Sequence, residues 1–158
     1  MTQAAGRPRA VHVVVYGGLA AGLLDIVNAT TFWFLYNGVS PVQILQSIAA
    51  GLLGPAAFAG GKATAALGLF LHFVIAVGMA AVYWLACLRW PMLVRRPAMA
   101  GISYGVAAWL AMEHVVVPLS RAQLPPFILP WVINSVLAHV VLIGLLLAFV
   151  ARWSASRR

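Results

Sequence analysis

Acidic residues are almost missing from this chain. Of 158 residues only Asp25 and Glu113 carry a side-chain carboxylate, all charged residues together amount to 8%, and cysteine occurs once, at Cys87. Soluble domains are about 25% charged, so this shortage excludes a water-soluble globule. A single cysteine excludes an intrachain disulfide and leaves Cys87 as a small packed residue. Also missing are a P-loop, a nucleophile elbow, a paired-carboxylate motif and the H-x-x-x-H, C-x-x-C and E-x-x-H ligand spacings. Nothing therefore argues for a soluble-type enzyme.

What is present is apolar. Hydrophobic residues make up 64% of the chain and the mean hydropathy is +1.00, which excludes disorder as firmly as solubility. Four apolar blocks stand out, at about 11–36, 64–88, 97–118 and 127–151. Each reaches about 20 residues, enough to cross about 30 Å of hydrocarbon as a helix. They are too long and too continuously apolar for alternating barrel strands. The first block is too long for a signal peptide and carries Asp25 in its middle, so it reads as a retained span. The expected fold is all-α, a polytopic transmembrane four-helix bundle forming one membrane domain over 1–158.

The cations fall mainly at one set of block ends. Arg7 and Arg9 precede the first block, Arg89, Arg95 and Arg96 join the second to the third, and Arg152, Arg157 and Arg158 follow the fourth. Lys62 and Arg121 stand on the other side. By the positive-inside rule the termini and the middle connection are expected to be cytoplasmic, in a bacterial inner membrane. This distribution points to the lipid bilayer as the partner and not to nucleic acid.

Between the first two spans, Ser40, Pro41 and Gln43 spell an N-cap, N1 and N3, a capping box with proline in its favoured place. Gly54-Pro55 is the expected stop. About 12 residues cannot span a bilayer, so 41–53 reads as a short interfacial helix on the outer side. Its stripe is Leu45, Ile48, Ala49 and Leu52, with Gln46 elsewhere. The third connection carries Pro125, Pro126 and Pro130 and reads as a stiff outer loop. Gly18-x-x-x-Gly22 matches Gly101-x-x-x-Gly105, which hints at duplication of a two-helix unit.

Ionisable side chains inside a membrane cost about 2.5–3.5 kcal/mol each on insertion scales, so each needs a reason. They are Asp25, His72, Glu113, His114 and His139, with Asn28 and Asn134 as neutral companions. Helical spacing sets Asp25 on a stripe with Gly18 and Gly22, and His72 on one with Ala65, Gly68 and Ala76, small-residue faces of the kind that pack on other helices. At about 1.5 Å per residue from the outer ends, His114 lies about 6 Å down, His72, His139 and Asn28 about 12 Å, and Asp25 about 17 Å. One polar layer fed by all four helices and open outward is expected, with nothing titratable below it until the arginines. Glu113 is placed beside Trp109 and near enough to the surface to pair with Lys62 or Arg121.

The run from His72 to Ala151 resembles the YagU-like family of bacterial inner-membrane proteins. The likeness rests on His72-Phe73-Val74-Ile75-Ala76-Val77-Gly78, Pro91, Ala100-Gly101, His114 before Pro118, Pro125-Pro126, Pro130-Trp131 and His139, with Gly18-Leu19-Ala20-Ala21-Gly22 similar at the start. It implies a small polytopic protein of a family loosely associated with acid tolerance. Asp25 and Glu113 have no counterpart in that pattern.

Three functions fit these residues. A layer of imidazoles and a carboxylate would respond to protons or bind a small ligand, since histidine titrates between pH 5 and 8. Alternatively His72, His114 and His139 would hold a metal or haem as a redox site, the identity of the cofactor staying open. In the third reading the chain is a structural subunit, in a homo-oligomer or a larger membrane complex, and its buried polar residues are interhelical glue.

Overall fold

A computed structural model describes residues 6–123 and 127–157; Pro125, Pro126 and Arg158 lie outside them. The described residues form helices and connections, with no strand among them. In chain order the elements are α1 (Val11–Asn37), α2 (Pro41–Ala59), α3 (Gly61–Arg89), the short α4 (Met92–Arg95), α5 (Pro97–Leu119) and α6 (Leu129–Ser156). All but α4 are long and apolar enough to cross a membrane by length and composition, α3 and α6 being the most apolar, with mean hydropathies of 2.3 and 2.4. The long helices outrun the apolar blocks at several ends. Lys62 at the start of α3 and Ser154 in α6 are polar, and polarity at a helix terminus does not stop the backbone ladder.

Local chemistry explains the first two boundaries. At the end of α1, Gly38 adopts φ 66° and its N–H returns to the Phe34 carbonyl at 2.9 Å, the left-handed close that glycine makes without steric cost. At the start of α2 the Gln43 N–H donates to Ser40 Oγ at 3.3 Å and the Ser40 N–H to Gln43 Oε1 at 3.1 Å, the reciprocal cap expected. The α-winding stops at Gly54, at φ 66° and ψ −158°, so the α-helical part is Pro41–Leu53, with the bounds expected. Gly54–Ala59 follows as a 3-10 turn, and the two together make the 19 residues of α2.

Glycine sets the helix pairings. A Cβ on Gly18 would lie 3.0 Å from the Val77 Cα, and one on Gly22 3.0 Å from Ala76 Cβ and Phe73. That brings α1 against α3. The matching pair on α5, Gly101 and Gly105, meets the backbone of Leu145, Gly144, Val140 and His139 on α6. The Gly18/Gly22 pair thus joins α1 to α3, and the Gly101/Gly105 pair joins α5 to α6. Gly68 of α3 receives the Leu45 carbonyl of α2. The packed face of α2 is Gln46, Ala49 and Ala50, with Leu52 exposed, which corrects the expected stripe. Gln46 faces inward because its amide finds partners, donating to the Gly61 carbonyl at 3.0 Å.

α1 and α6 run antiparallel along their length. Trp131 meets Phe32 and Trp33 at one end, Gly17 meets Leu147 further along, and His12 meets Ser154 at the other end. Val13, Ala21, Ala80, Tyr83, Cys87, Val94, Leu147 and Ala151 fill the core between α1, α3 and α6 at the arginine-bearing end.

Candidate functional site

The histidine of α3 reaches α1 because Gly22 has no side chain. With Phe73 and Ala76 seated against Gly22, the His72 Nε2 lies 2.8 Å from the Gly22 carbonyl oxygen. That oxygen can only accept, so the His72 Nε2 carries a proton and donates it. If the ring is neutral, its Nδ1 lone pair is left over. One turn further along α1, Asp25 lies within electrostatic reach of both His72 and His139. His139 donates from Nδ1 to the Ser135 carbonyl at 2.9 Å, one turn back along its own helix. By the same reasoning a neutral His139 keeps its lone pair on Nε2. Among the described residues Asp25 makes no ion pair within 4.0 Å with either imidazole, so these residues of α1, α3 and α6 are neighbours at electrostatic range and not a contact cluster.

The α5 contribution differs from expectation. Trp109 donates from Nε1 to Ser135 Oγ at 2.9 Å, and Ser135 in turn donates to the Val132 carbonyl at 3.1 Å. A tryptophan, not Glu113 or His114, connects α5 to the helix that carries His139. His114 is exposed and stands edge-on to Trp109 at 6.0 Å. The ring contact joins residues five apart along α5. Met112–Val116 is π-helical, so a residue meets the fifth one along. Glu113 is half-buried. Among the described residues it makes no ion pair within 4.0 Å with Lys62 or Arg121. Arg121 instead ties the end of α5 to α2 through its backbone N–H, 2.9 Å from the Gly51 carbonyl. A second π stretch, His139–Leu145, opens at the site histidine itself.

Outward of this cluster the rings of Phe32, Trp33, Tyr36 and Trp131 pack on one another at 5.2–6.1 Å. Phe32 is seven residues beyond Asp25 and shares its face. On the side of the cluster away from the arginine-bearing end, α1 and α6 are thus lined with aromatic rings. Asn28 is half-buried between the two levels. Asn134 is a further feature of this region, since its Nδ2 is buried with no hydrogen-bond partner.

Among the described residues no group of three His, Cys, Asp or Glu side chains could hold a metal ion. The trio His72, His114 and His139 is not assembled, and His114 stands beside Trp109 instead.

Two features below the layer escape a reading of intramembrane acids and histidines. Tyr83, fully buried, packs on Tyr104 at 4.9 Å beside Cys87, so the lower half also holds titratable side chains. His12 lies at the opposite end of α1 from the aromatic cluster, its Nδ1 2.9 Å from Ser154 Oγ. A signal for it existed, since antiparallel first and last helices bring the start of one beside the end of the other. The expectation that no nucleophile-elbow motif occurs needs correcting, because Gly101-Ile102-Ser103-Tyr104-Gly105 spells G-x-S-x-G, but the run lies within α5, its glycines against α6 and Ser103 exposed. The elbow needs a strand-to-helix turn that a continuous helix cannot supply. Comparison with protein-family models, curated proteins and solved structures returned no match.

Proposed function

We propose that this chain is a multi-pass membrane module that takes up and releases protons at Asp25, His72 and His139. The observation that carries the reading is that the one carboxylate of α1 lies within electrostatic range of two imidazoles from different helices. Each imidazole has one ring nitrogen committed to a carbonyl. The committed nitrogens hold the rings in place, and the others are free to exchange a proton. With the carboxylate the cluster can carry a charge from −1, all sites deprotonated, to +2, all protonated. A buried ionisable group in a span marks a proton or ion path more often than packing alone requires.

In this reading α1, α3, α5 and α6 are the spans of a four-helix bundle, and α2 is a helix of the outer interface. The arginine-bearing ends face the cytoplasm of a bacterial inner membrane. Membership of the YagU-like family belongs to the same proposal and rests on the residues quoted for it.

The test is reconstitution of the full chain into liposomes with a trapped pH-sensitive dye. An imposed pH step should drive proton movement that Asp25→Asn abolishes and His139→Gln slows by about tenfold or more, both variants retaining native helicity. Equal flux through the wild type and Asp25→Asn would overturn the reading. Variants that fail to fold, beside a wild type that moves no protons, would favour the alternative of interhelical glue in a structural subunit.

A further inference from the structure

The arginine-bearing end of the molecule is assembled from three chain segments, and the structure stitches them into one face. The N-terminal segment is held twice. The Pro8 carbonyl accepts from Trp84 Nε1 of α3 at 3.0 Å, and the Arg9 N–H donates to Ser154 Oγ of α6 at 2.9 Å. The α3–α5 connection is held by Val94, buried in the core with Cys87 and Ala151, and by Arg152, whose Nη1 reaches the Arg95 carbonyl at 3.5 Å. The C-terminal turn is held by Ser154, which is 1% exposed, and the Arg157 guanidinium lies 4.2 Å from the centre of the Trp153 ring.

Every described arginine of these segments is exposed, and no acid of the chain is near them. Asp25 and Glu113 are each sixteen residues along the chain from Arg9 and Pro97, about 24 Å at the helical rise. That is about two Debye lengths at 0.1 M salt. Among the described residues the positive face therefore has no acidic side chain to serve as counterion. Around it Trp90 and Met92, each 58% exposed, extend the apolar belt of the helices up to the guanidinium level. Planar guanidinium groups pair with phosphate oxygens two at a time, and aromatic residues sit where headgroups begin.

We infer that this face is a docking surface for anionic phospholipid, holding phosphodiester headgroups against the arginines of the α3–α5 connection and the end of α6 while the acyl chains lie along the apolar belt. It extends past the positive-inside argument, which concerns how a chain inserts, to which lipid the folded protein keeps. It is independent of the proton chemistry at Asp25, since it uses other residues at the other end of the helices.

The experiment uses the full chain reconstituted in phosphatidylcholine nanodiscs containing a minor fraction of phosphatidylglycerol, then extracted and analysed by native mass spectrometry for retained lipid. Phosphatidylglycerol should be retained in large excess over its share of the bilayer. A juxtamembrane arginine is worth about a fivefold preference, so the triple variant Arg95→Gln, Arg96→Gln, Arg152→Gln should lose the excess by tenfold or more. Lys62→Gln with Arg121→Gln, at the other end, should keep it. Should the triple variant not fold, the wild type alone decides through salt, because screening should erase the excess in 1 M sodium chloride. Any one of four results would overturn the inference: no excess, an excess that survives molar salt, equal loss in the two variants, or complete displacement by millimolar inorganic phosphate. The last would mean that the face binds free anions and not lipid. An acidic protein found on the face in place of lipid would overturn it equally.

Discussion

Replacing Gly144 with alanine should open the seam between α5 and α6. A Cβ at that position lands on the Gly101 carbonyl oxygen and comes within 2.8 Å of the Gly105 nitrogen and 2.9 Å of its Cα. All three obstacles are backbone, so no side-chain rotation relieves them and α5 must retreat by about 1 Å. Overpacking of this kind costs about 1–3 kcal/mol. A gap of about 1 Å also forfeits about a quarter to a half of the dispersion well for every atom pair along the seam. That seam includes the contacts of Gly101 and Gly105 with Val140 and Leu145, so the upper end of the range applies. About 3 kcal/mol corresponds to about a hundredfold fall in the folded-to-unfolded ratio. The assay is far-UV circular dichroism of the protein in mixed micelles of rising dodecyl sulfate fraction. Gly78→Ala is the control, because a Cβ there meets nothing within 4 Å; it should match the wild type or gain up to about 1 kcal/mol from helix propensity. If Gly144→Ala unfolds together with the wild type, backbone contact between α5 and α6 is not what holds that pair.

Two further outcomes follow from the hydrogen bonds around the site. Trp109→Phe removes the Nε1 donor to Ser135 while keeping most of the ring; in a double-mutant cycle with Ser135→Ala the coupling should be about 0.6 kcal/mol, the average for interhelical bonds in a membrane. A coupling indistinguishable from zero would mean that the bond contributes nothing. Asn134→Leu should be neutral or stabilise by about 1 kcal/mol, because it removes a buried donor that has no partner. Destabilisation by more than about 1 kcal/mol would show that the amide is bonded after all, to water or ligand, and would place Asn134 in the working layer.

The residues differ in how openly the sequence declared them. Ser40, Pro41 and Gln43 specify their cap by local geometry alone, and the structure forms it as read. The long apolar helices were legible because hydropathy is a sum over about twenty residues and tolerates local error. Faces were harder. In a helix that is apolar all round, only small and polar residues mark the packed side, which worked for Gly22 with His72 and failed for Gln46, whose inward turn depends on a carbonyl fifteen residues away. The π turns were not legible at all. They lie at Val11–Gly17, Met112–Val116 and His139–Leu145, and no residue pattern along the sequence marks such a change of period. His12 went unread because attention to buried charge passes over a histidine beside a terminal arginine, although the antiparallel pairing of α1 and α6 makes Ser154 its natural partner.

The most direct test of the polar cluster is nitrogen NMR of ring-labelled histidines in the full chain in nanodiscs, followed through pH in the wild type and in Asp25→Asn. Removing the carboxylate should change the titration of His72 and His139 together and leave His114 as it was. At neutral charge His72 should show its proton on Nε2 and His139 on Nδ1. Titrations of His72 and His139 that are identical with and without the carboxylate would contradict the account.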